Sequence, residues 1–279
     1  LRVPALPCPD RRASDTRRLR IVPTAHRPSR KPPTGILRKR CVILGCGGHG
    51  RVVLDILRHL EPYELVGFVD SNPDMQNRRI DGLSVLGKPD ELHELRDRLS
   101  IDCAIVAIGD NGVRRELGER LSALGFELIN AIHPSANIAA NAILGRNIVV
   151  AAGALVCAHC QIGDSVILNT GCIVDHESLI GTATHICPGA RIAGRVTVES
   201  GAFIGIGATV IQSIRVGCEA VVGAGAVVIR DVPPMSTVVG VPAHEATYVQ
   251  KSADAPVWLL PDPTRRAAPL TPTTILSAK

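Results

Sequence analysis

The chain has 279 residues, 46% hydrophobic and 20% charged, a balance that belongs to a soluble globular protein of one or two domains. Three Phe, two Tyr and one Trp are its only aromatic residues, which makes the core aliphatic and excludes an RNA-binding sheet built on stacking aromatics. The net charge of +5 sits at one end: residues 1–40 hold 12 Lys or Arg and two acids, leaving 19 bases and 24 acids elsewhere, so the body offers no folded basic face to nucleic acid.

Residues 1–40 carry seven prolines and no sustained apolar period, so they are expected to form a disordered basic extension unable to offset its ordering entropy. No apolar run approaches the roughly 20 residues of a membrane-spanning helix, and no leader of signal type opens the chain, so a cytoplasmic protein without membrane contact is expected. The nine cysteines are scattered, and only Cys157 and Cys160 form a C-x-x-C pair. A structural zinc needs four ligands, so reduced thiols and no metal site are expected.

From residue 41 to 131 apolar runs alternate with helical patterns. Cys41–Leu44 (CVIL) reads as a buried strand, Gly45–Gly50 (GCGGHG) as a tight turn and Arg51–Leu60 as an amphipathic helix. A strand over Leu65–Asp70, a helix over Asp90–Leu99, a strand over Cys103–Ile108, a helix from about Gly112 to Leu124 and a last strand, FELIN, complete a small Rossmann-like parallel α/β unit. Gly45, Gly47 and Gly50 satisfy G-x-G-x-x-G, with Asp70 ending the second strand. Such glycines let backbone N–H groups approach a phosphate at a helix N-terminus, and the carboxylate can accept from a ribose or base donor. A plain strand-to-helix turn is the alternative, and the nucleotide is left open.

From residue 132 to 245 the period is six. Ile132, Ile138, Leu144 and every sixth residue on to Val228 are aliphatic without exception, and Gly often follows, as at Gly145, Gly163 and Gly181. Three such hexapeptides resemble one triangular 18-residue coil of a left-handed parallel β-helix, here a prism about 27 Å long at the spacing of neighbouring strands. Cys160 and Cys172 fall on inward positions as small apolar filler.

Residues 18 apart then stack in columns. Val149, Ile167, His185, Phe203 and Val221 form an apolar stripe around one histidine, which another subunit is expected to cover. Ala140, Ala158, His176, Gly194 and Gln212 form a column whose small members leave room beside His176. His176 and His185 are half a coil apart, on opposite sides of the prism, so a site using both requires two subunits, and a three-sided prism closes as a cyclic homotrimer.

The stretch Ile167–Gly194 (ILNTGCIVDHESLIGTATHICPGARIAG), with VILGCGGHGRVV before it, AIGDNGVRRELGERL and IHPSANI between, and VVGVPA at Val238–Ala243, resembles the bacterial sugar acetyltransferases of the sialic acid O-acetyltransferase type. It is most similar to the UDP-4-amino-sugar N-acetyltransferases of the diacetylbacillosamine pathway, over about residues 40–245. The resemblance implies transfer of an acetyl group from acetyl-CoA to the amine of a nucleotide-linked amino sugar, in sites between subunits. It implies His176 as general base and Glu177 as its orienting partner. His185, Gly194, Gly205 and Ile206 are the implied acetyl-CoA contacts. Gly45, Gly47, Gly48, His49, Gly50 and Asp70, with Asn111 and Arg114 of GDNGVRR, are the implied nucleotide-sugar contacts. Cys46 in the glycine turn and Asp175 before His176 depart from the family's usual residues.

The chemistry suits these groups, because a neutral imidazole held by a carboxylate can take the proton of an attacking amine or hydroxyl with no acyl-enzyme. Alternatives are O-acetylation of sialic acid or another sugar, a metal hydratase using His159, His176 and His185, and a non-catalytic nucleotide-sugar-binding protein. Residues 246–279 form a Pro-rich tail with one apolar patch, Val257–Leu260.

Overall fold

The computed structural model describes residues 38–60 and 62–246; the basic extension and the tail expected from sequence lie almost wholly outside them. In the first part, strand β1 (Lys39–Leu44) leads into helix α1 (Gly48–Arg58), whose Val53, Leu54, Ile56 and Leu57 form the buried stripe of an amphipathic helix. Strand β2 (Tyr63–Val69) is followed by β3 (Arg79–Ile80) and β4 (Leu83–Gly87), then α2 (Leu92–Leu99), β5 (Cys103–Val106), α3 (Asn111–Ala123) and β6 (Glu127–Leu128). The sheet order is β3-β4-β2-β1-β5-β6, parallel apart from the β3–β4 hairpin. The chain leaves β1 to build β2 on one side and later returns to place β5 on the other, so the glycine turn after β1 stands at the topological switch point where such sheets bind ligands.

From Ala131 the chain winds through strands of two residues, and one of three at Thr237–Val239, in three sheets of eight, six and five strands. From the second coil up to Val228 each strand pairs in parallel with the one 18 residues before it, as Ile167 with Val149, His185 with Ile167 and Phe203 with His185. Only the closing strands break the spacing, Val221 pairing with Thr237 and Val238 antiparallel with Glu245. The six-residue aliphatic series fills the prism. Leu144 to Val228 are buried, while Ile132 and Ile138 are partly exposed because no coil covers the first one. Cys160 and Cys172 are fully buried among them.

The corners follow from backbone sterics. Every sixth residue from Asn147 to Gly225 has φ between +54° and +73°, one left-handed residue per corner. The glycines after the aliphatic positions solve a different problem. A Cβ at Gly181 would lie 2.5 Å from the backbone nitrogen of Ser200 in the next coil, so close stacking of coils requires glycine there.

The α/β unit and the β-helix share one core. Val149 and Ile167 are fully buried and pack with Cys46, Val53, Ile56 and Phe68 of the α/β unit. This corrects the expectation that another subunit covers that stripe, because its first half is covered by the chain itself. The seam continues down one corner column. Asn147 Oδ1 accepts from Val106 N at 2.8 Å, Ser165 O from Arg114 Nε at 2.7 Å, Ala183 O from Arg114 Nη2 at 2.9 Å and Gly201 O from Asn111 Nδ2 at 2.9 Å; Glu219 pairs with Arg115 at 3.1 Å. Strand β5 thus holds the first of these five coils and helix α3 lies along the next four, with Asp110 capping its first turn through Val113 N.

Candidate active site

The glycine turn opens the site. Gly45 has φ +99°, and a Cβ at Gly50 would lie 2.1 Å from Gly45 O, so these two make the turn and the close helix packing. A Cβ at Gly47 or Gly48 would meet nothing within 4 Å. Gly47 is the N-cap of α1 and no side chain caps that end, so the first N–H groups of the helix face outward, as anion binding requires. His49 and Gly50 belong to the first turn of the helix rather than to the preceding loop.

Asp70 accepts from Cys46 N at 2.8 Å with one oxygen and from Asn72 N at 2.9 Å with the other. Burial works to raise its carboxyl, and those hydrogen bonds outweigh it, leaving its pKa below the ordinary value. Asp70 thus holds the glycine turn in shape, and a ligand would use its remaining lone pairs.

Next to the turn stand two histidines from the two parts of the chain. The rings of His49 and His185 are 6.5 Å apart, and His185 meets Phe203 edge-on at 5.3 Å. Burial, and then the Arg114 cation, push His49 down to about 4 and His185 to about 3, so both are neutral at pH 7. Asn169 Oδ1 accepts from Thr170 N, which turns its Nδ2 toward His185 Nε2 at 3.1 Å. This assigns Nε2 as acceptor and places the His185 proton on Nδ1. His49 Nε2 is buried without a hydrogen-bond partner, and His185 Nδ1 is buried with no partner at good geometry, only the Gly109 backbone standing close enough to favour its proton, an arrangement that costs stability unless a ligand atom meets them. Asn169 was missed by sequence reasoning; its signal was its place in ILNTG, one coil less two residues from His185.

His176 occupies a different corner. Its Nδ1 lies 3.1 Å from Glu177 Oε2, and its backbone N donates to Asp175 Oδ1 at 2.7 Å. With Nδ1 donating to the carboxylate, Nε2 is the free acceptor. Gly194 forms the floor beneath the ring, since a Cβ there would lie 2.5 Å from Nε2. Gly205 and Ile206 stand on the corner beyond the His185 strand, with Ile206 61% exposed. His159 pairs with Asn141, so the three histidines of the hydratase alternative have separate surroundings, and no group of three or more metal-ligating side chains gathers among the described residues.

Arg114 and Asn111, expected at the nucleotide, are engaged within the chain. Arg114 is fully buried, and its guanidinium is spent on the carbonyls of Ile108, Gly109, Ser165 and Ala183 and on Asn111 Oδ1. Asn111 Nδ2 bonds Gly201 O. Both tie the two parts of the chain together and have little left to offer a ligand.

Residues 40–121 match the PglD N-terminal domain family. The perosamine N-acetyltransferase of Caulobacter crescentus, solved as a mutant with CoA and GDP-perosamine, is 39% identical; the match covers 76% of this chain and 99% of that one, with a TM-score of 0.71. The chain belongs to the hexapeptide-repeat sugar N-acetyltransferases. Within this family, the acetyltransferase domain of PglB from Neisseria gonorrhoeae, solved with acetyl coenzyme A, is 36% identical over 75% of this chain and all of that one, with a TM-score of 0.70. UDP-N-acetylbacillosamine N-acetyltransferase of Bacillus subtilis is 35% identical over 116 residues, 41% of this chain, and the match spans about half of that relative, 52%. No helix among the described residues is long and apolar enough to cross a membrane.

Proposed function

We propose that the chain transfers the acetyl group of acetyl-CoA to the amine of a nucleotide-linked amino sugar, with His176 as general base. The observation that carries this reading is the His176–Glu177 pair: Nδ1 is held by a carboxylate at 3.1 Å, leaving Nε2 free on an exposed corner above a glycine. The relatives' bound CoA, acetyl-CoA and GDP-perosamine support the ligand classes. The glycine turn, with the uncapped end of α1, suits the sugar nucleotide's diphosphate.

In the proposed reaction the neutral amine attacks the thioester carbonyl as His176 Nε2 takes its proton, and the imidazolium is stabilised by Glu177. The developing oxyanion needs a donor in a dry site. The buried Nδ1–H of His185, which meets only the Gly109 backbone and that at poor geometry, has that character. Collapse of the tetrahedral intermediate breaks the C–S bond, and the imidazolium proton passes to the departing thiolate. His176 and His185 stand on different corners, and the α/β unit covers the His185 stripe of its own chain. The proposal therefore joins His176 of one copy to His49, His185, Gly205 and Ile206 of the next, in a homotrimer.

The test incubates the chain with acetyl-CoA and a panel of UDP-, GDP- and dTDP-amino sugars, plus free and CMP-linked sialic acids, and follows thiol release. Release with an amino sugar nucleotide, falling by about 10²- to 10⁴-fold in His176→Ala, is expected. Release only with sialic acids would replace N- by O-acetylation, and binding without release would make the chain a sugar-nucleotide-binding protein.

A further inference from the structure

Glu177 has a second partner that the transfer mechanism does not use. Arg195 lies one coil on, at the same corner position and with the same φ of 59°. Its Nε donates at 2.9 Å to Glu177 Oε2, the oxygen that also faces His176 Nδ1. The residue before Arg195 is Gly194, the floor of the His176 ring. Two consecutive residues of one coil thus support the dyad of the coil before, one beneath the imidazole and one behind the carboxylate.

We propose that Arg195 is a positioning residue for the transfer reaction, holding Glu177 Oε2 so that the carboxylate fixes the Nδ1–H tautomer and the aim of His176. This rests on the reading of His176 as the base. Glu177 is about half exposed on a corner, so an unheld side chain would exchange among several rotamers and leave Nδ1 for water. A second donor on the same oxygen removes that freedom. The guanidinium suits the task because its Nε–H is directional and its charge is permanent. The hydrogen bond from Arg195, ahead of the one from His176, also holds the Glu177 carboxyl below its ordinary pKa. As an exposed ion pair, Arg195–Glu177 contributes little to folding, so its removal leaves an intact protein to measure.

The test compares Arg195→Gln and Arg195→Lys, each in the native and the Glu177→Gln backgrounds, with His176→Ala as reference. Turnover is measured as thiol release with the acceptor found in the panel, and nitrogen-15 shifts of the His176 ring report its tautomer with no acceptor present. Arg195→Gln is expected to lower kcat about three- to tenfold with KM within about twofold, to mix the tautomers, to be restored largely by Lys, and to add nothing in the Glu177→Gln background. Native kcat with an unmixed tautomer would overturn the inference. An equal loss in both backgrounds would do the same, as would a rise confined to KM, the sign of a direct substrate contact. If His176→Ala stays active, the base itself is lost and the inference falls with it; if that variant is dead while Arg195→Gln is native-like, only the role of Arg195 falls.

Discussion

His49 and His185 show what burial does to single side chains. Their folded pKa values of about 4 and about 3 lie below the ordinary 6.5, so the unfolded chain binds their protons first as pH falls. Above about pH 6.5 the two histidines make no pH-dependent difference. Between there and about pH 4 each removes roughly 1.4 kcal/mol of stability per pH unit. Urea unfolding from pH 7 to 4.5 is expected to show this slope and to flatten in His49→Gln/His185→Gln; an equally steep curve would place the acid sensitivity elsewhere. Gly194→Ala makes the complementary test, because the three atoms nearest its Cβ would all belong to the movable ring of His176. Melting within about 2 °C of native and turnover lowered at least about tenfold are expected, whereas Gly47→Ala, with open space at its Cβ, should fold unchanged. At this scale the sequence was legible where spacing carries meaning, as in the glycine turn and the His176–Glu177 pair. It took Arg114 for a nucleotide contact and did not show its place in the seam, because a cationic residue in GDNGVRR reads equally as a phosphate ligand and as a buried tie.

Among the elements, the β-helix was the most legible part. Its six-residue period is imposed by coils that must each present one aliphatic side chain per face to a core only one side chain deep. The hairpin β3–β4 was missed, although Asp81-Gly82, with φ of 48° and 85°, is a short-range hairpin signal; its two-residue first strand is too brief to alternate visibly. The corner series was also unread, since eight of the fourteen left-handed residues from Asn147 to Gly225 are not glycine, and periodic sterics leave little mark on residue type. Stacking has a sharper consequence. In Gly181→Ala a Cβ would press on the backbone of Ser200 at 2.5 Å, so a loss of at least about 2 kcal/mol is expected by urea unfolding. A native-like midpoint would show that the coils can part cheaply.

The whole molecule is held by a seam that period and motif could not reveal, because its partners lie between 41 residues apart, Val106 and Asn147, and 104 apart, Arg115 and Glu219. Arg114 bridges both parts of the chain with its guanidinium hydrogen-bonded to carbonyl oxygens, and the Asp110 charge nearby favours its cation. Arg114→Met is expected to cost at least about 3 kcal/mol, since several buried carbonyls lose their donor together. Faster hydrogen exchange in α3 and at Ser165–Thr184, with slower change in the inner coils, would locate that loss at the seam; uniform exchange would mean that the seam and the prism unfold as one.

Coiled repeat proteins ordinarily gain or lose units with little penalty, because each unit touches only its neighbours. Here a 13-residue helix grips a column whose members, Ser165, Ala183, Gly201 and Glu219, come from four successive coils. Adding 18 residues within that stretch would leave a sound prism yet carry Gly201 and Glu219 about 4.8 Å beyond the reach of Asn111 and Arg115. Helix α3 therefore acts as a gauge of repeat number, and growth or shortening of the prism is free only beyond the two ends of its grip.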